Sequence, residues 1–527
     1  MNLAAILDWC DDRLNPIVVK ELRQAVKSRM VVGILILFLG LQLFLLGTSL
    51  LVREARGQSS AIDWNAGNSI FQVQQGILLW TIMILVPVYA SIRLGAERSD
   101  HNVDLMFIST LRPTSIIWGK FFAASVLGLL IFSACAPFMT FTYLLRGIDI
   151  PTILLVLGID LLAMTFGIIL ALLLAALPGS RPVKAFICFL GFVQLAWGCA
   201  MLTMGTVAII MAGNVGDWVA ENLGISFSIV LGVLAVSGLM FFYSVALISA
   251  PAANRIFPLR VYLFVAWVIV SISLAMITLS MSATYQSIPV GFYILTVPPI
   301  LCLQLWISIC ERDHWAPRVA RTIPRNPLLR LVAFFFFTGA AGGVVYSVTL
   351  LVLSFLGSVL MLESVLTTAN EHDGVLALLR GMVLVALYAY CYGMSAVLVR
   401  TYLLANQIRS VFNWLIAALL VGLGSSIPSV IAYILFYDQI RYQNEPGWWA
   451  LPNPFLAVYE VSNSPRTQQL EFEVLCYFFL AIWGVLVTLL SLPWFVGQLK
   501  RFRPLVPREI PPADVILVSE PTSVGAG

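Results

Sequence analysis

Asp160, within LVLGIDLLAMTF, and Arg380, within LALLRGMVLV, are ionisable residues set inside long apolar runs. A charge left in hydrocarbon costs about 2.5 to 3.5 kcal/mol on insertion scales, so such residues find partners, line polar routes or reach an interface. For Asp160 the choices are a polar route, a pairing with Arg380, or a buried structural contact. Arg380 stands near the outer end of its run, from which its stem can snorkel towards Glu371 and Asp373. Other chemistry is thinly supplied. His101, His314 and His372 are far apart and form no paired-ligand spacing, so no metal site is expected. The 8 cysteines include no CxxC pair, and all but Cys10 lie in or beside apolar runs, as small core hydrophobes do. Gly119-Lys120 follows Thr114 and precedes Phe121, which rules out the phosphate-binding loop pattern. Asp438, Glu445, Glu460, Glu471 and Glu473 are not spaced as a paired acid and base, so no catalytic constellation and no cofactor are expected in this chain.

The elements that must position these residues are membrane helices. The chain has 527 residues, 60% hydrophobic and 11% charged, with mean hydropathy +0.95, whereas soluble domains carry about 25% charged residues. The net charge of +4 is spread over short loops, with none of the dense basic face that nucleic-acid binding needs. The expected partner is the lipid bilayer. Spans of roughly 20 apolar residues fall near 30–52, 76–96, 120–145, 152–177, 185–212, 224–250, 261–283, 290–310, 332–361, 376–399, 411–437 and 474–498. This is an all-α polytopic fold of about 12 transmembrane helices. The first run is too long for a signal peptide and lacks a cleavage pattern, so it is expected to remain as an anchor. With both termini inside, 24 of the 30 Lys and Arg residues fall on the cytoplasmic side, which fits the positive-inside rule.

Within that frame, residues 1–29 form a cytoplasmic elbow and 30–250 a first six-span unit. Residues 251–498 form a second unit with an inner loop at 311–331 and an outer loop at 438–473, and the Pro-rich tail 499–527 is expected to be disordered. The outer loop, rich in Trp, Tyr and Pro, suits an interfacial helix anchored by amphipathic rings or a lid over an exit route. Asn15 and Pro16 start the elbow helix as N-cap and first residue. Val18, Val19, Leu22, Ala25, Val26 and Met30 occupy one arc of its wheel. Lys20, Glu21, Arg23, Gln24, Lys27 and Ser28 occupy the other, and Arg29 closes the stretch. Such a helix lies in the membrane surface, as an anchor for the first span or as an elbow passing force into it.

The segment ERSDHNVDLMFIST, from Glu97, is the second cytoplasmic feature. Between the polar starters Asp100 and Asn102 and the breaker Pro113 there is room for a short helix, on which Val103, Leu105, Met106, Phe107, Ile108 and Leu111 scatter around the whole circumference. A cytoplasmic helix that is apolar all round needs cover. That cover is a protein partner, the chain's own bundle or lipid.

KELRQAVKSR before the first span, ER closing the second, and DLMFISTLRPTSIIWGK leading into the third resemble the permease subunits of type-2 ABC exporters. The resemblance covers about the first 180 residues. It departs from the family at Asn102-Val103, where a Gly-Thr pair is common, and in having twice the usual six spans. The resemblance implies a coupling helix near 97–119 that seats in a groove of a cytosolic ABC ATPase, with Glu97, Arg98, Asp104, Leu105, Met106, Phe107, Ile108 and Pro113 as its coupling residues. It also implies that the elbow residues Lys20, Glu21, Arg23, Lys27 and Arg29 contact the same ATPase. ATP and Mg would then be bound by that separately encoded subunit, in a bacterial inner membrane, and a second permease subunit is a further partner that the resemblance leaves open. Its cargo is not readable.

ERDHWAPRVARTIPRNPLLRLVAFFFF, from Glu311, echoes the segment from Glu97: Glu-Arg after an inward-running span, then a Pro, then the next span. A six-plus-six repeat would supply two coupling surfaces. The alternative to the permease is an ion- or proton-coupled carrier, for which Pro137 and Pro298-Pro299 would break helices around Asp160.

Overall fold

The computed structural model describes residues 16–55, 66–99, 112–145, 148–178, 181–212, 223–250, 252–281, 286–365, 372–404, 407–435, 448–463 and 466–504. Among these residues every regular element is helical. The chain opens with α1 (Pro16–Val26), α2 (Arg29–Ala55) and α3, which runs through Ala66–Trp80, a π-helical stretch Thr81–Leu85, and Val86–Ser99. There follow α4 (Pro113–Leu144), α5 (Ile150–Ala176), α6 (Arg181–Ala212), α7 (Leu223–Ile248), α8 (Phe257–Ser280) and α9 (Ser287–Ile309). A single turn at Pro317–Ala320 precedes α10 (Pro327–Phe336). The chain then forms α11 (Ala340–Val365), α12 (His372–Leu398, continued by a π-helical stretch Val399–Leu403), α13 (Asn413–Leu435), α14 (Pro454–Asn463) and α15 (Arg466–Arg501).

Twelve of these helices are long and apolar enough to cross a membrane, and the protein is a multi-pass helical membrane protein. Helices that are apolar on all sides can satisfy their backbone internally and leave leucines facing lipid; Leu37, Phe44, Leu154, Trp197 and Phe478 are exposed on the bundle's outside. Local signals set the starts. Asp149 caps α5, its carboxylate accepting from Thr152 N at 3.3 Å and from Thr152 Oγ1 at 2.6 Å, and Pro sits in the first turn of α4, α5, α8 and α10.

Several boundaries differ from those expected of the sequence. The helix of the second span begins at Ala66, because the polar residues of NSIFQVQQG that lower its hydropathy include Gln74 and Gln75, which turn into the protein and are buried. The span expected at 332–361 is divided: AFFF belongs to α10, which ends where Phe337 turns extended, and the crossing helix starts at Ala340. The outer loop ends before 473, since α15 already begins at Arg466 and its polar first turns carry Glu471 and Glu473. Pro137, Pro298 and Pro299 break nothing; they lie inside continuous α4 and α9.

Two six-helix halves pack with one pattern of neighbours. In the first, α2 meets α3 and α4; α3 meets α4, α5 and α6; α4 meets α5 and α7; α5 meets α6 and α7. In the second, α8 meets α9 and α11; α9 meets α11, α12 and α13; α11 meets α12 and α15; α12 meets α13 and α15. Helix by helix, in chain order, the two sets correspond. The fifth span of each half, α6 and α13, is also peripheral to the same degree, with 11% of its apolar window buried. The halves join where α7 packs along α8.

Candidate functional site

Alternation of the spans puts the ends of α3, α5, α7, α9, α12 and α15 and the starts of α2, α4, α6, α8, α11 and α13 on one side, the arginine-rich end. The elbow helix packs there against α4 and α2. Glu21, expected on its polar arc, instead points inward and is only 4% exposed, while Val26, on the apolar arc, is 76% exposed. The reason is electrostatic. Lys120 Nζ, at the start of α4, donates to Glu21 Oε1 at 2.8 Å, and Arg93, near the end of α3, lies 3.6 Å from Glu21 Oε2 and also donates to Gln24. Lys20, Arg23, Lys27 and Arg29 are exposed. One carboxylate thus ties the elbow to both helices that flank the 100–111 connector.

The second half repeats this arrangement with other residues. Arg260, at the start of α8 and fully buried, donates to Glu311 Oε1 just after α9 and to the carbonyls of Phe335, Phe337 and Gly339 before α11. Glu311 Oε2 accepts from Gly339 N at 2.7 Å. Burial pushes the Glu311 carboxyl above its ordinary range, and the Arg260 guanidinium and the Gly339 N–H pull it back. In both halves a cluster built on one ion-paired carboxylate therefore gathers three pieces of chain: the entry to the first span, the exit of the second and the entry of the third. In the sequence Arg260 is one of the 24 basic residues on the inner side. Its signal was present, an arginine three residues into an apolar helix with an acid closing the next one.

Of the expected coupling residues, Asp104, Leu105, Met106, Phe107 and Ile108 lie outside the described residues; Glu97 and Arg98 are placed in α3 by backbone alone. Pro113 is the first residue of α4 and half-buried.

Asp160 and Arg380 do not pair with each other. Asp160, fully buried in α5, accepts from Gln75 Nε2 of α3 at 3.0 and 3.2 Å, and Gln75 Oε1 accepts from Thr206 Oγ1 of α6 at 3.3 Å. About ten residues into α5, this cluster stands ~15 Å along the helix, near mid-depth. Gln42 of α2 and Gln74 of α3 lie buried in the same half, and both side-chain polar atoms of Gln74 are without a hydrogen-bond partner. Arg380 reaches Glu473 of α15 at 3.0 Å; Glu371, one of its expected partners, lies outside the described residues, as does the side chain of Asp373. The outer segment rests on protein: Ala450, Ala457 and Val461 are buried, and Tyr388 and Tyr392 of α12 donate to the carbonyls of Leu451 and Pro452. Phe455 and Tyr459 of α14 face outward.

Among the described residues no group of His, Cys, Asp and Glu is arranged to hold a metal ion. The chain matches no family model, no curated protein and no solved structure.

Proposed function

We propose that this protein is the transmembrane permease of an ATP-driven exporter, with both six-span halves of the transport path in one chain and the ATPase supplied by separate cytosolic subunits. The observation that carries the reading is the shared neighbour pattern of α2–α7 and of α8, α9, α11, α12, α13 and α15, the packing that a tandem repeat produces. In each half a charged clamp joins the helices on either side of the connector between the second and third spans: Glu21 with Lys120 and Arg93 in one, Arg260 with Glu311 in the other. A push delivered to such a connector moves three helix ends together, which is what converting closure of two ATPases into span movement requires. Residues 97–113 and 311–336 are then the two docking segments, the elbow stiffens the first, and the membrane is the bacterial inner membrane. ATP and Mg belong to the partner.

A second reading draws on Asp160. A buried carboxylate bonded only through a glutamine, in a half that also buries Gln42 and Gln74, is the kind of group that an ion- or proton-coupled carrier uses.

Affinity purification of the wild type and of Leu105→Asp with Phe107→Asp separates the two. A permease retains an ABC ATPase that the folded double variant loses, and its transport in proteoliposomes follows ATP. Asp160→Asn keeps an acceptor for Gln75, so an ATP-driven permease carrying it should transport within about twofold of wild type, while a proton-coupled carrier should lose at least about tenfold of its pH-driven flux. Equal ATPase recovery by both proteins, with transport that ignores ATP, would sink the permease reading.

A further inference from the structure

At the arginine-rich end, a cavity of about 900 Å³ opens between the base of α12, the segment 408–411 just before α13, the end of α15 and the segment 312–316. Four arginines line it, Arg312, Arg400, Arg409 and Arg501, and a single carboxylate, Asp313. That carboxylate is already engaged. Arg400 donates to its Oδ2, and Trp494 Nε1 and Gln498 Nε2 donate to its Oδ1. Positive charge in the cavity therefore exceeds what the chain itself neutralises.

Arg400 is the informative residue. It is 3% exposed, lies in the π-helical stretch that ends α12, and its Nε has no hydrogen-bond partner. A buried guanidinium donor left unsatisfied forfeits its hydration without a replacement, and π-helical segments frequently mark functional positions. The walls are fixed: Asn413 Nδ2 of α13 donates to Ile309 O of α9, and Gln498 is anchored by Ala341 N as well as Asp313. The site is built before anything enters it.

We propose that this cavity binds a phosphate group carried by an anionic phospholipid. Guanidinium groups match phosphate oxygens in forked geometry, and the cavity lies at the ends of the spans, the depth of headgroups. Its rim is apolar where a protein partner would want polar complement: Val411 lines the cavity and is itself exposed, and Phe412 and Val496 stand exposed beside it, offering the acyl chains a surface continuous with the lipid-facing side of α13 and α15. Residues 312–316 also fall within the segment 311–336 proposed above to dock an ATPase; the lipid site does not require that reading.

The test is native mass spectrometry of the full chain in detergent, titrated with phosphatidylglycerol, with phosphatidylcholine, and with millimolar inorganic phosphate. It compares wild type with Arg312→Gln/Arg409→Gln, two exposed positions whose change leaves the Arg400–Asp313 pair intact. Arg400→Lys, which keeps the charge and loses the fork, is the second variant. Retention of phosphatidylglycerol over phosphatidylcholine, weakened about tenfold or more in the double variant, is the expected result. Binding of inorganic phosphate as tight as that of the lipid keeps the anion site and identifies the soluble ion as its source. Equal retention of the two lipids, or no effect of the double variant, overturns the proposal. So does a double variant that sheds an associated protein while its lipid binding is unchanged, for then the cavity is a protein dock.

Discussion

At the scale of single residues, charge placement explains the arginine-rich end. Arg260 and Glu311 are both buried, and removal of one member of a buried pair leaves the other uncompensated, which typically costs 3–5 kcal/mol. Glu311→Gln should therefore lower the thermal unfolding midpoint in detergent by an amount equivalent to about 3 kcal/mol. Arg260→Met combined with Glu311→Leu should recover more than half of that loss, since replacing both charges by apolar groups of similar volume is often neutral. An equal loss in the double variant would mean that the carbonyls of Phe335, Phe337 and Gly339, rather than Glu311, hold this corner together. Glu21 is held differently, between two cations on two helices, and Asp160 by an amide donor. Each of the three carboxylates has its own means of being buried.

At the scale of elements, the division of AFFF from the crossing helix places a bend at residues 337–339, and the packing inside that bend is tight. A Cβ on Gly343, in the first turn of α11, would come within 2.2 Å of Arg260 Nη2 and 2.7 Å of Ser308 Cβ. Gly343→Ala should cost about 1–3 kcal/mol by overpacking, read as a lowered unfolding midpoint. Gly33→Ala in α2, where a Cβ meets nothing within 4 Å, should be neutral or stabilising, because alanine is the better helix former. If both changes behave alike, the clamp around α8, α9 and α11 is looser than its distances indicate. The elbow helix shows the same economy of space: Val18, Glu21 and Ala25 form its buried stripe, and the acid sits in that stripe because Lys120 and Arg93 converge on it.

At the scale of the whole molecule, the two corresponding halves predict a stoichiometry. If each half presents one connector to one ATPase, the intact complex holds one copy of this chain and two ATPase subunits, a ratio that native mass spectrometry reads directly. Two copies of the chain for each pair of ATPases would mean that only one connector per chain is used. The asymmetry between the halves matters as well. The first has an elbow helix and a short connector, the second has α10 and the longer loop from Glu311, so the two docking segments proposed above need not accept the same ATPase equally.

The number of spans and the arginine-rich end were legible in the sequence because they are local sums: twenty apolar residues make a crossing, and basic residues stay on one side regardless of how the crossings pack. The echo between the segments from Glu97 and from Glu311 is a pattern of Glu-Arg, Pro and apolar helix that rests on the sequence alone, since residues 100–111 lie outside the described residues. Tertiary structure alone decided the partners. Asp160 and Gln75 are 85 residues apart, Glu21 and Lys120 are 99 apart, and Arg380 and Glu473 are 93 apart. No periodicity reports which distant polar group will be present when a charge leaves water, and the low dielectric of a helix bundle makes that choice the one that counts. The common packing of the two halves was hidden for the same reason: hydropathy shows that helices exist, and only their neighbours show that they are arranged twice in one way.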